Sequence, residues 1–360
     1  MSSQPPRASG YFRTGYEQDY RLIETRLRRV SMTFFVVALL AFPYFASGFQ
    51  LDLANQVFLA ATGALSLMLL TGFAGQISLG HAGLLAAGAF TVGILFKEWN
   101  APFWVTIPAS AVVGALLGVV FGLPSLRLRG LYLAVSTLAL HFVVIYAGGE
   151  YETKRGYSTG IVIDPPSIFG FDIVSARIWY FILLAAAAGT LMLCINLLRS
   201  RTGRAWRALH SHETVAEALG IGVAKYKLLA FVISSAMTAV AGALFGYYRG
   251  FVSVEAFSLF LTIQYVAMII IGGMGSLLGA LLGAVFVTLL PYAIEAGMGM
   301  LPGAGRYAGM IFAVNYAAFG LVMILFLVFE PLGLVGIWHR IQSYFQLWPF
   351  KHKPLSSGQR

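Results

Sequence analysis

The sequence predicts an all-α, polytopic integral membrane protein of about ten transmembrane helices with glycine-rich helix breaks. Three observations carry that expectation. Of 360 residues, 59% are hydrophobic and 11% charged, and the mean hydropathy of +0.80 lies far above what a soluble core requires. Apolar segments at 32–49, 54–71, 82–96, 103–122, 131–148, 178–198, 229–248, 257–272, 276–294 and 308–329 approach the ~20 residues that a bilayer-spanning helix needs. The glycines, finally, gather at two places inside this apolar background.

Residues 1–31 precede the first span, are polar and hold six arginines. The first apolar run comes too late and is too long for a cleaved secretory signal, so this arm is expected to stay in the cytoplasm. Within it, Tyr16, Tyr20, Ile23, Leu27 and Val30 recur at helical spacing with arginines between them. That pattern suits an interfacial helix on the cytoplasmic leaflet, with a solvated basic tail as the alternative.

A net charge of +10 raises the question of a polyanionic partner. With the amino terminus inside and ten spans, 18 of the 24 Lys and Arg residues fall on the inner side. The basicity is therefore topological, nucleic acid is excluded as a partner, and both termini, including a tail over 331–360, are expected in the cytoplasm of a bacterial inner membrane. Cys194 is the sole cysteine, so an internal disulfide and a cysteine metal cluster are both ruled out, and no metal site is expected.

The membrane domain, 32–330, contains two regions without any Asp, Glu, Lys or Arg that are too long for one helix. As single rods, 53–96 and 256–294 would reach roughly 66 and 58 Å against a core of ~30 Å. Each must fold back once. Gly72, Gly75, Gly80 and Gly83 mark the place in the first, and Gly272, Gly273, Gly275, Gly279 and Gly283 in the second. GFAGQISLGHAG and GGMGSLLGALLG share a G-x-x-G start followed by a serine and further glycines, which reads as a degenerate internal repeat. In a membrane, non-helical backbone survives only where protein or a water-filled cavity satisfies it. Gln76, Ser78 and His81 are candidates for that task and for the translocation pathway, with Gly272, Gly275 and Ser276 from the second break. The alternative is a plain turn with small residues for helix packing, and the depth of 72–83, re-entrant or cytoplasmic, stays open at this point. For His81 and for His141, packing or backbone bonding is the expected role rather than proton relay.

The outer loop over 149–176 mixes both charge signs and suits a solvated docking surface, or an ordinary connection. The longest inner loop, 199–228, is more informative. Ser211 as cap, Glu213 in the first turn, Glu217 four residues on and Gly220 at the terminating position predict a two-turn helix at about 212–219. Val215, Ala218 and Leu219 give it a partly apolar face, whose simplest use is docking into another protein.

Here the residues resemble a known motif. AEALGI, at 216–221, is similar to the coupling-loop motif of ABC importer permeases, with leucine where a second alanine is usual. Together with GQISLGHAG at 75–83 and the stretch 203–246, the chain resembles the permeases of branched-chain amino-acid ABC transporters, of the LivM/LivH type and closer to LivM. The extended amino-terminal arm and GYSTGIV at 156–162 depart from that pattern. The resemblance implies half of a translocation pathway for branched-chain or related hydrophobic amino acids, or for urea or short amides in the same family. It implies a LivH-like sister permease, two ATP-binding cassette subunits that carry ATP and Mg, and a periplasmic substrate-binding protein. Glu213, Ala216, Glu217, Ala218, Leu219 and Gly220 would couple to the ATPase, flanked by Arg204 and Arg207 unless these serve only as topology signals.

No G-x-x-x-x-G-K-[ST] loop is present to cradle phosphates, so the chain is expected to be a non-catalytic subunit, with ATP hydrolysis and its cofactors elsewhere. An ion-coupled secondary transporter is the alternative, but it would ordinarily place ionisable residues inside its spans. All fourteen acidic residues fall outside the assigned spans or at their edges, Asp52, Glu255, Glu295 and Glu330 among them.

Overall fold

The computed structural model describes residues 26–126, 130–157, 160–168, 171–299, 311–330 and 332–347. The proposed interfacial helix over 16–30 lies mostly outside these residues. The described part is helical almost throughout: α1 (Arg26–Phe45), α2 (Gly48–Leu67) continued by a π-helical turn (Met68–Phe73), α3 (His81–Trp99), α4 (Phe103–Ser125), α5 (Leu131–Arg155) and α6 (Ala176–Arg199). Two short helices, α7 (Arg201–Ser211) and α8 (Glu213–Ala218), lead into α9 (Val223–Arg249), α10 (Leu259–Gly272), α11 (Leu277–Gly299), α12 (Ile311–Phe329) and α13 (Gly333–Leu347). Seven helices are long and apolar enough to cross a membrane, and three apolar stretches, Val30–Phe45, Leu259–Gly272 and Tyr316–Phe326, are shorter. They match the ten predicted segments one to one.

The first boundary differs from expectation. Ser47 caps α2 in a reciprocal box with Gln50, so α2 starts before Asp52 rather than after it. Asp52 thus stands inside α2, where Tyr248 donates to one carboxylate oxygen and Gln56 Nε2 to the other at 2.7 Å.

Central to the bundle is α9, packed against α3, α4 and α2. The α3–α9 crossing is reciprocal: a Cβ on Gly88 would strike the Ala239 carbonyl, and one on Gly242 the Leu85 carbonyl. Without a hydrophobic driving force between helices in lipid, such close backbone approach is what holds them together. A buried hydroxyl set fastens the same region, Ser66 Oγ lying 2.8 Å from Thr238 Oγ1 and Ser234 Oγ donating to the Ser66 carbonyl at 2.7 Å.

Two ends of the bundle can be told apart. At one, β1 (Ile161–Val162) pairs antiparallel with β4 (Phe251–Val252), and β2 (Ser167–Ile168) forms a hairpin with β3 (Phe171–Asp172). From sequence this loop reads as a solvated docking surface or an ordinary connection. Its apolar residues Ile161, Ile163 and Ile173 are buried, which ties it to the bundle. At the other end lie both glycine breaks, α7, α8 and the start of α13. Helices α10 and α11 therefore form a packed hairpin that turns at this end, while α2 and α3 are joined by the non-helical residues 74–80, which lead back into the bundle to His81 beside Thr238.

Candidate functional site

The inner loop predicted to carry one helix carries two. In α7, Ala205, Trp206 and Leu209 are buried, and Trp206 Nε1 donates to the Tyr226 carbonyl at 2.9 Å. Ser211 does not cap α8, because it ends α7 and its Oγ donates to the Arg207 carbonyl at 3.0 Å. His212 takes the junction in extended geometry, and α8 is one residue shorter at each end than expected. Arg207 is turned back onto α6, its Nη2 donating to the Leu198 carbonyl at 2.9 Å, and Arg204 Nη1 reaches the Arg199 carbonyl at 3.2 Å. The amphipathic spacing of Ala205, Trp206 and Leu209 was the overlooked signal for α7.

Helix α8 ends as the sequence required. Gly220 sits at φ +83, donates its N–H to the Glu217 carbonyl at 2.9 Å, and faces open space where a Cβ would be. Glycine is needed there for the left-handed turn and not for room. Of the candidate coupling residues, only Ala216 is buried, while Glu217 and Ala218 are exposed. Val215 and Leu219 keep 55% and 76% of their surface exposed, an apolar face left open by the described residues.

Two contacts fasten α8 to the first glycine break. Lys227 Nζ lies 2.8 Å from Glu213 Oε1 in a largely shielded ion pair, and Gln76 Nε2 donates to the Lys227 carbonyl at 3.0 Å. His210 packs against Gly75, where a Cβ would come within 2.8 Å of Nδ1. Gly75, Gln76, His210, Glu213 and Lys227 together line a cavity of about 290 Å³. Nothing in the sequence could have paired Glu213 with Lys227 or His210 with Gly75, since both pairings follow from how α7 folds back.

Several backbone N–H groups of the break find partners, while His81 Nε2 is buried without one. Gln76 N–H donates to the Leu70 carbonyl at 3.1 Å, Leu79 N–H to Thr137 Oγ1 at 2.9 Å and Ala82 N–H to Thr262 Oγ1 at 3.0 Å. Gln76, Ser78 and His81 are buried. The His81 ring lies 4.7 Å from that of Tyr265, and its Nδ1 is 3.5 Å from Thr238 Oγ1, which fits the packing role expected of it. His141 is also buried, with its backbone against Gly83.

In the second break, Gly272 packs on the Gly279 backbone, and Ser276 Oγ accepts the Gly279 N–H at 3.2 Å to begin α11. The two breaks meet. A Cβ on Gly72 would stand 2.9 Å from the Gly275 nitrogen, and one on Gly275 would lie 3.6 Å from the Gly72 carbonyl. Gly275 is thereby brought to the first break, whereas Gln76 and His81 both engage α9, and Ser78 Oγ accepts the Gly80 N–H within the break at 3.4 Å. A line thus runs from α8 through Lys227 to Gln76, whose carbonyl accepts from Thr71 Oγ1 at 3.1 Å, and from the adjacent Gly72 on to Gly275.

A family model described as the permease component of branched-chain amino acid transport systems matches residues 49–329. The chain belongs to that family. This permease is 32% identical over 288 residues to the high-affinity branched-chain amino acid transport system permease protein LivM of Salmonella typhimurium, covering 72% of this chain and 68% of the relative. The same figures hold for LivM of Escherichia coli. A probable LivH of Methanocaldococcus jannaschii is 24% identical over 274 residues, 71% of this chain and 82% of the relative. No solved structure matches. The matched span runs from the start of α2 to the end of α12, so it includes both breaks and α7–α8.

Proposed function

We propose that this permease forms half of the translocation pathway of an ATP-driven importer in a bacterial inner membrane, with the end that carries α7 and α8 in the cytoplasm. Its partners are a LivH-like second permease, two ATP-binding cassette subunits that bind ATP and Mg, and a periplasmic substrate-binding protein. The cargo is a branched-chain or related hydrophobic amino acid, by analogy with what the relatives are named for transporting.

One observation carries the coupling reading: a six-residue helix holds Val215 and Leu219 bare while Glu213 ties it to the first break through Lys227. Full burial of an aliphatic side chain contributes about 1.5–3 kcal/mol, so this face gains most by entering a cleft on an ATPase subunit. Glu213, Ala216, Glu217, Ala218, Leu219 and Gly220 form the docking unit. Closure of the ATPases displaces α8, the Glu213–Lys227 pair and the Gln76 bond pass that displacement to the Gly72–Gly275 contact, and the hairpins rock between two states. Gln76, Ser78, His81, Gly272, Gly275 and Ser276 belong to the moving pathway side of this unit.

The test is purification with the co-encoded proteins followed by measurement of ATP hydrolysis. Stimulation by branched-chain amino acid together with the binding protein is expected. Hydrolysis indifferent to both, or purification without any ATPase, would count against the reading.

A further inference from the structure

Helix α13 takes no part in the coupling line. At 15 residues it is roughly 22 Å long, short of the ~30 Å core, and it contains His339 and Arg340, so it does not cross. Its start is fixed to the second break: Gly333, at φ +64, packs against the Ile271 carbonyl and the Gly273 nitrogen, and Val335 is buried. Arg340 Nη2 holds Glu330 at 3.1 and 3.2 Å, pairing the charge of the helix with the end of α12.

The opposite side is apolar and exposed. Ile337, Trp338, Ile341 and Tyr344 are 36%, 51%, 47% and 58% exposed, and their spacing places them on one face. Only three residues separate α13 from α12, whose final residues Val328 and Phe329 are exposed at the end of an apolar span. The exposed face therefore begins at the membrane boundary and continues the surface that α12 offers to lipid. Trp and Tyr among aliphatic residues is the composition favoured at the headgroup level.

We propose that α13 lies in the headgroup region of the leaflet at the coupling end, with Ile337, Trp338, Ile341 and Tyr344 immersed in lipid, and that it holds the second glycine break to the membrane surface. The occupant of this face is bilayer, not a protein partner.

Spin labels at Trp338→Cys and Tyr344→Cys, in a Cys194→Ala background, test this in the co-purified assembly in nanodiscs of phosphatidylethanolamine and phosphatidylglycerol. Accessibility to oxygen several-fold above accessibility to a water-soluble nickel chelate is expected at both sites. The opposite order would place the helix in water, and exclusion of both relaxants would place a protein on the face. Either result overturns the proposal. Ile341→Cys supplies the same reading where the tryptophan variant does not assemble.

Discussion

Gly220 and Lys227 illustrate two ways in which a single residue governs the proposed coupling end. At Gly220 the constraint is conformational, because a side chain would find space but not the φ of +83. A residue with a Cβ pays about 1–2 kcal/mol in that region, enough to shift the end of a six-residue helix. Gly220→Val is expected to abolish uptake while membrane insertion and amount stay unchanged, measured by transport and immunoblot on the same membranes. At Lys227 the constraint is contact. The ion pair with Glu213 is partly exposed, with side chains 14% and 26% accessible, so its worth in global stability is small, on the order of 1 kcal/mol. Its mechanical worth is expected to be larger: Lys227→Met should preserve thermal stability within a few degrees yet lower substrate-stimulated ATP hydrolysis several-fold. Glu213→Gln should do the same, and the double variant should be no worse than either single. Additive losses would show that the pair is not the link.

Among elements, the helix hairpins were the most legible from sequence and α7 and α13 the least. A charge-free run longer than one span dictates a fold-back, and glycines mark where, so both breaks were placed correctly. The cap of α8 was not, because Ser211 satisfies cap chemistry equally well as the last residue of α7, and only the burial of Trp206 decides between them. Apolar residues in a membrane chain carry little information about which face meets protein, so the central place of α9 was likewise hidden. Its crossing with α3 rests on Gly88 and Gly242, whose positions admit no Cβ. Gly242→Leu or Gly88→Leu is expected to remove most folded protein from the membrane, as read by detergent-extracted monodisperse material. This outcome differs in kind from that of Gly220→Val, where amount is preserved and only transport is lost. Full recovery of folded Gly242→Leu protein would contradict the close crossing.

For the molecule as a whole, the line from α8 to Gly72 and Gly275 joins the exposed apolar face of the 199–228 loop to the two glycine breaks. Candidate coupling residues were visible as a motif, whereas the route inward from them was not, since it depends on side chains distant in sequence such as Gln76 and Lys227. Gly72→Val is expected to press on the Gly275 backbone and to impair uptake while leaving ATPase association intact, measured by co-purification beside transport. Leu219→Asp should do the reverse. Removing one buried leucine contact and burying a carboxylate costs about 2 kcal/mol or more, which corresponds to roughly 30-fold weaker association.

Photo-crosslinking from Leu219 in the actively transporting assembly tests the central claim most directly. A photoreactive residue at that position is expected to capture an ATP-binding cassette subunit, with a yield that changes between the ATP-bound and nucleotide-free states. Capture of lipid alone, or no adduct to the ATPase while uptake proceeds normally, would contradict it.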